Sequence, residues 1–458
     1  MKQVIKKSPI LPWILVFIVA SIIFRENGGT NEMSRYATLR AMSDHLSFQI
    51  NDYQDWTIDW SIKDGRIFSN KAPGPMLLGF PAFLILDQFS KFDKKDIKAK
   101  NGSRTRPVSS TPRVLMALLY QVLPYSLLLI IICNWIQTST SLPSLAIHFL
   151  ALACLFGNTA SLFMNFFFGH GMAAYFVLGL SFYLYKKKYF LVGLFFGLTL
   201  LCEYSSALLL PALIIALFLQ RSSMKKSDLL SILKGGIAPG LLWCLYHYQT
   251  VGSIFKITAQ FQNPKWIDSS VNSKKLWGMF SLPDPHVFFK LLFGFERGIL
   301  WTQPWVFISW ALGLQTLSDS QASDSKKSLS LFVLLSTLFL LFMNSAFNGW
   351  HGGVTSGPRY LSMIFPASAL LIALNFDSLK TKMLSYLLYF SLGLSLLFRI
   401  LVYGGRALAP ENYNLWPWLF QDLLDKPGMR GELRAFSLIL MLCIAGYRVY
   451  KKQFSKLN

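Results

Sequence analysis

Long apolar runs alternate with short polar gaps along almost the whole chain. The runs fall at 11–24, 75–89, 114–136, 143–157, 166–185, 189–203, 206–220, 229–247, 300–317, 329–345, 359–375, 383–403 and 433–449. Crossing the hydrocarbon core takes roughly 20 mostly apolar residues, fewer where polar flanks snorkel to the headgroups. The pattern predicts an all-α polytopic membrane protein with about 12 transmembrane helices, in the range of about 11–13, and a helical extracytoplasmic first loop.

The gaps give the orientation. Basic residues collect at 91–113, 186–188, 221–226, 326–327, 380–382 and 451–456. Excess Lys and Arg in short loops marks the cytoplasmic side. Both termini are therefore expected in the cytoplasm, with outer loops at 25–73, 248–299, 346–358 and 404–432. The first run follows Lys2, Lys6 and Lys7 but ends Phe24-Arg25-Glu26-Asn27, without a small-x-small cleavage site. It reads as an uncleaved first helix rather than a signal peptide. Between 114 and 220, five apolar segments lie between two cytoplasmic-type gaps, and parity demands an even number of crossings. The segment 143–165, short and broken at Gly157-Asn158, is expected to be re-entrant, half-spanning or fused to its neighbour.

Composition agrees. Of 458 residues, 53% are hydrophobic and only 14% charged, against about 25% charged in soluble domains. The formal charge of +22 is scattered between spans, which excludes nucleic acid as a partner. Cys133, Cys154, Cys202, Cys244 and Cys443 sit in apolar stretches without CxxC spacing and read as small buried hydrophobes. No separate soluble domain is expected.

The polar chemistry gathers in the first loop. Residues 25–72 hold Glu32, Arg35, Arg40, Asp44, Asp52, Asp55, Asp59, Lys63, Asp64, Arg66 and Lys71. Residues 33–48 have helical spacing, with Tyr36, Leu39, Met42 and Leu46 as an apolar stripe, and predict a helix lying along the membrane surface. The loop ends Phe68-Ser69-Asn70-Lys71-Ala72-Pro73-Gly74-Pro75 at the start of an apolar run. Prolines suit the first turn of a helix, so Lys71 is expected at a helix N-terminus, where free N–H groups favour anions. There it reads either as a phosphate ligand or as a snorkelling anchor.

Several motifs, taken in order, resemble the GT-C glycosyltransferase superfamily, in particular the bacterial branch related to protein O-mannosyltransferases and the lipid A aminoarabinose transferase. They are Glu32-Met33-Ser34-Arg35-Tyr36-Ala37, Gly65-Arg66-Ile67-Phe68-Ser69-Asn70-Lys71-Ala72-Pro73-Gly74 and Phe168-Gly169-His170-Gly171-Met172-Ala173-Ala174. Residues 193–204, ending Glu203-Tyr204, follow, then Gly349-Trp350-His351-Gly352-Gly353 and Ser356-Gly357-Pro358-Arg359-Tyr360-Leu361. Each motif is weak alone; their order and spacing make the match moderately specific. It covers roughly 25–375, so 1–375 is expected to form the catalytic module and 376–458 the C-terminal transmembrane helices.

The resemblance implies an inverting transferase. It would move a sugar from a polyprenyl-phosphate donor to a hydroxyl of a glycan, lipid or protein acceptor, on the outer face of a bacterial inner (plasma) membrane. Such chemistry needs a base for the hydroxyl and cations for the departing phosphate. Glu32 falls where the family has its first acidic residue, usually aspartate, and is carried over as base or as metal or acceptor ligand; Asp59 is its rival. Lys71 matches the lipid-phosphate lysine, Arg35 belongs to the first motif, and Arg359 is a second cation for the phosphate. His170 reads as a packed histidine or as a substrate ligand. Trp350 and His351 read as sugar-binding residues or as an interfacial anchor with its neighbour. Glu203, ionisable between apolar runs, is a functional candidate by default. Arg297 is expected to pair with Glu296. No nucleotide-binding glycine loop and no metal-ligand spacing appears. No cofactor is required, and a divalent metal ion is the one left open. Two rival readings stand: a transporter or flippase of lipid-linked substrates, which repeated halves and paired charges within spans would favour, and an inactive scaffold relative, which the glutamate in place of aspartate keeps open.

Overall fold

The computed structural model describes residues 8–23, 29–89, 108, 110–264, 279–353, 355–379, 381–405, 414–424 and 430–454. Helices dominate, and the one sheet among the described residues is a two-stranded hairpin. Five helices are long and apolar enough to cross a membrane: Thr111–Ser139, Lys226–Val251, Asp324–Ala346, Lys382–Gly404 and Glu432–Lys451. Shorter apolar helices pack among them.

Apolar side chains also cover the outside. Along Lys226–Val251, Leu229, Leu230, Leu233, Ile237, Leu241 and Leu245 are exposed, at the spacing of one helix face. A soluble fold does not leave such a stripe in water; lipid is its natural solvent. The chain is a membrane-embedded helical protein.

Nine elements position the site. They are α1 (Leu11–Ile23), α2 (Gly29–His45), β1 (Trp60–Lys63), β2 (Arg66–Ser69), α3 (Gly74–Phe89), α4 (Thr111–Ser139), α5 (Ser144–Leu155), α6 (Gly169–Tyr185) and α7 (Tyr189–Cys202). The helix expected at 33–48 is present as α2, but it ends at His45 and the rest of the first loop is not helical. After α2 the chain makes a 3-10 turn, Asn51–Trp56, and then the antiparallel β1–β2 hairpin, in which Trp60 faces Ser69 and Lys63 faces Arg66. Asp64 and Gly65 close it with φ of 51° and 74°, the paired left-handed geometry of a tight hairpin turn. Nor is α2 a one-sided surface helix. Residues from Glu32 to Leu39 are buried on every face, whereas Leu46 lies beyond the helix end, 91% exposed. The protein encloses the first half of α2, so its polar side chains serve an interior.

The break expected at Gly157-Asn158 is the end of a short helix. α5 has only 12 residues, and Asn158 Nδ2 donates to the carbonyls of Ala153 and Cys154, at 2.6 and 2.8 Å. That satisfies acceptors the helix end would otherwise orphan. A single turn, Ala160–Phe163, leads on to α6, all of it buried. The run expected at 359–375 opens as a 3-10 turn, Arg359–Ile364, before Phe365–Leu374 continues as α-helix. Cys133, Cys154 and Cys202 are buried as expected, but Cys244 is half-buried and Cys443 exposed, because their helices turn those faces outward.

Candidate functional site

Short hydroxyl side chains bind the first loop to the start of α2. Thr30 Oγ1 donates to Asp59 Oδ2 at 3.0 Å, and Ser34 Oγ donates to the Asp59 carbonyl at 2.6 Å. Thr57 Oγ1 donates to the Thr30 carbonyl and accepts the Asp59 N–H. Ser34 and Ser69 share a hydrogen bond at 2.6 Å, and Ser69 Oγ accepts the Lys71 N–H. The hairpin thus returns its second strand beside α2, with Asp59 ahead of it and Lys71 behind it. Their side chains meet, Lys71 Nζ lying 3.3 Å from Asp59 Oδ2. Tyr204 steadies the same stretch by donating to the Lys71 carbonyl at 3.3 Å.

A second set arrives from the membrane helices. α6 starts and α7 ends so close together that a Cβ at Gly169 would overlap the Cys202 carbonyl. This approach sets His170 beside Glu203, the extended residue that follows α7; His170 Nδ1 and Glu203 Oε2 are 2.9 Å apart. Arg359 comes from its 3-10 turn and donates Nε–H to His170 Nε2 at 2.7 Å and Nη1–H to the Gly352 carbonyl at 3.0 Å. Two guanidinium groups lie over the Phe168 ring, Arg359 at 5.4 Å and Arg35 at 5.8 Å from its centroid. Arg35 donates to the carbonyl and side-chain oxygens of Asn31, and its Nε has no hydrogen-bond partner among the described residues.

Charge explains what this cluster lacks. Arg35, Lys71 and Arg359 act electrostatically on one another and on Asp59 and Glu203: among the described residues, three cations against two carboxylates. Burial pulls the Arg35 guanidinium down to about 10, although Glu203 and Asp59 favour its charged form. Burial also pulls Lys71 below the ordinary lysine range; Asp59 opposes the fall, while Arg359 and Arg35 add to it. Burial alone would raise the Glu203 carboxyl, but His170, Arg35 and Arg359 outweigh it and hold it at about 2. A buried positive excess is costly unless an anion answers it. Little of the cluster meets solvent: the Lys71 side chain is 20% exposed and that of Glu203 15%.

No family model, curated protein or solved structure matches the chain.

Six of the nine sequence candidates converge: Arg35, Asp59, Lys71, His170, Glu203 and Arg359. Glu32 turns elsewhere. It is 1% exposed, and its carboxylate accepts from Arg113 Nη1 at 3.3 Å and from the Phe167 N–H at 3.0 Å. One turn along α2 puts Glu32 and Arg35 on different neighbours. Among the described residues the glycine loop reaches the cluster at Gly352, whose carbonyl accepts from Arg359. Trp350 faces Lys290, whose Nζ lies 5.7 Å from the ring centroid, and His351 Nδ1 accepts the Gly353 N–H at 3.0 Å. Arg297 does not pair with Glu296, which takes Lys290 instead; it donates to the His351 and Gly353 carbonyls. Among the described residues no three His, Cys, Asp or Glu side chains gather as a metal site would require. The Phe168 platform and the hydroxyl web of Thr30, Ser34, Thr57 and Ser69 escaped the sequence reading; Ser34 and Phe168 lie inside the motifs singled out there, but nothing in their type marks a role.

Proposed function

We propose that this protein is an integral membrane glycosyltransferase of the GT-C type, moving a sugar from a polyprenyl-phosphate donor to an acceptor hydroxyl on the extracytoplasmic face. The observation that carries the reading is the positive excess of buried Arg35 and half-buried Lys71 and Arg359 around Asp59 and Glu203 among the described residues. A donor phosphodiester supplies one negative charge and acceptor oxygens for the guanidinium donors. The motif order in the sequence supplies the rest of the support.

In this reading Asp59, rather than Glu32, is the base. The donor phosphate competes for Lys71 and loosens its 3.3 Å pairing with Asp59. The Asp59 carboxylate then takes the acceptor's hydroxyl proton as that oxygen attacks the anomeric carbon from the face opposite the phosphate. The new carbon–oxygen bond forms, the sugar–phosphate bond breaks, and polyprenyl phosphate leaves with the bonding electrons. Its second negative charge develops beside Lys71, Arg35 and Arg359, where fixed cations in a dry site are most effective. The helices are read as about 12 spans in a bacterial inner membrane, with both termini cytoplasmic and α2 with its hairpin outside.

The test supplies radiolabelled polyprenyl-phosphate sugars to membranes containing the protein. Lys71→Ala and Asp59→Asn are each expected to lower transfer by about 100-fold or more. Wild-type protein that transfers no sugar to any glycan, lipid or protein acceptor would sink the reading, as would undiminished transfer by both variants.

A further inference from the structure

Arg359 reaches the cluster from a 3-10 turn beside a glycine loop, and neither carboxylate holds it. Its Nε–H goes to a neutral nitrogen, His170 Nε2, at 2.7 Å. An imidazole nitrogen accepts only when it carries no proton, so the ring's proton sits on Nδ1. Nδ1 faces Glu203 Oε2 at 2.9 Å. The Nδ1–Glu203 contact is a close charge contact and not an aligned hydrogen bond; the carboxylate favours the proton on Nδ1, which leaves Nε2 its lone pair for the Arg359 guanidinium. His170 also sits among rings that restrict its tilt: Phe163 at 5.5 Å, Phe168 at 6.5 Å and Tyr360 at 5.7 Å between centroids. The arrangement holds the Arg359 guanidinium over the Phe168 ring, which Arg35 also approaches.

We infer that His170, held by Glu203, is a positioning residue that presents Arg359 to the bound anion. This deepens the proposed function and rests on it for the identity of the anion, but not for the geometry. His170 touches neither sugar nor phosphate in this scheme. Its contribution is to make one cation arrive already oriented, so that the ligand need not order a long side chain on binding. Glutamine can play the same part: its carbonyl oxygen accepts from Arg359 while its amide N–H faces Glu203. Alanine cannot.

The experiment measures binding of dodecyl methyl phosphate, a single-chain phosphodiester of fixed negative charge, to the purified full-length protein in nanodiscs. Wild type, His170→Gln, His170→Ala, Arg359→Ala and the double variant His170→Ala with Arg359→Ala are compared. We expect His170→Ala to weaken binding about tenfold and His170→Gln to stay within about threefold of wild type. The double variant should bind no worse than Arg359→Ala alone, since a positioning residue has nothing to act on once its target is gone. Additive losses in the double variant, or equal losses for Gln and Ala, would overturn the inference while leaving the anion site standing. If wild type does not bind the probe at all, the reading beneath it fails as well. His170→Gln keeps the test decisive should the alanine variant fail to fold.

Discussion

Lys71 and Asp59 stand 3.3 Å apart, joined across a hairpin whose two strands separate them in sequence. Each is largely withdrawn from water, so each depends on the other. Lys71→Ala leaves a buried carboxylate without its cation and is expected to cost about 2 kcal/mol of stability. Adding Asp59→Leu to Lys71→Met should recover most of that loss, since an apolar pair can replace a buried ion pair. Thermal unfolding in detergent checks both, and transfer should stay absent in the recovered double variant.

Lys71 also gives a proton signature. Burial first, and then Arg359 and Arg35, hold it below the ordinary lysine range despite Asp59. A bound anion favours the charged amine and raises its pKa. Between the free and the bound value, binding therefore takes up protons, and affinity falls as pH rises through that interval. Calorimetry of dodecyl methyl phosphate at alkaline pH, in buffers of different ionisation enthalpy, should report the uptake. Lys71→Arg, which stays charged, should remove the Lys71 share of the uptake and leave only that of Arg35, whose guanidinium burial pulls down to about 10.

Glu32 is expected to matter for stability more than for chemistry. Its carboxylate serves both Arg113 and the Phe167 N–H. Glu32→Gln neutralises the partner of a guanidinium that is itself largely buried and should cost about 3 kcal/mol. The decisive measurement is transfer per folded molecule, from activity normalised to the monodisperse fraction on size exclusion. A value near wild type fits this assignment; a loss of about 100-fold with unchanged stability would return Glu32 to the role of base.

Gly169 is a third point of leverage. Its added Cβ would overlap the Cys202 carbonyl and come within 3.2 Å of Arg35 Nη2. Gly169→Ala must push α6 from the end of α7, stretching the His170–Glu203 contact, at a cost of about 1–3 kcal/mol. Probe binding should fall together with the unfolding midpoint. Gly240→Ala, where nothing lies within 4 Å, is the control and should leave both unchanged.

Much of this was legible in the sequence, for identifiable reasons. Apolar run length exposed the membrane helices because lipid imposes a nearly fixed span. Asn158 marked the end of α5 because a side-chain amide can cap where the backbone runs out. The hairpin was overlooked although Asp64-Gly65 between alternating residues is its ordinary signature; the apolar stripe of α2 drew the reading toward helix. Leu46 fitted that stripe by spacing, but the helix had already ended, and spacing cannot tell where a chain turns. Lys71, Arg359, His170 and Glu203 were identifiable one by one, but their convergence was not, since it brings together residues from 35 to 359. Choosing between Glu32 and Asp59 required knowing that Arg113 approaches one acid and Lys71 the other.

Two guanidinium groups, Arg35 and Arg359, lie over the one Phe168 ring. Holding like charges that near one another takes work, and that work is done while the chain folds, before any substrate is present. The empty protein therefore rests in a loaded state, and the arriving anion relaxes it. An occupied protein should outlast an empty one on heating, in proportion to the charge delivered rather than to the size of the molecule that carries it.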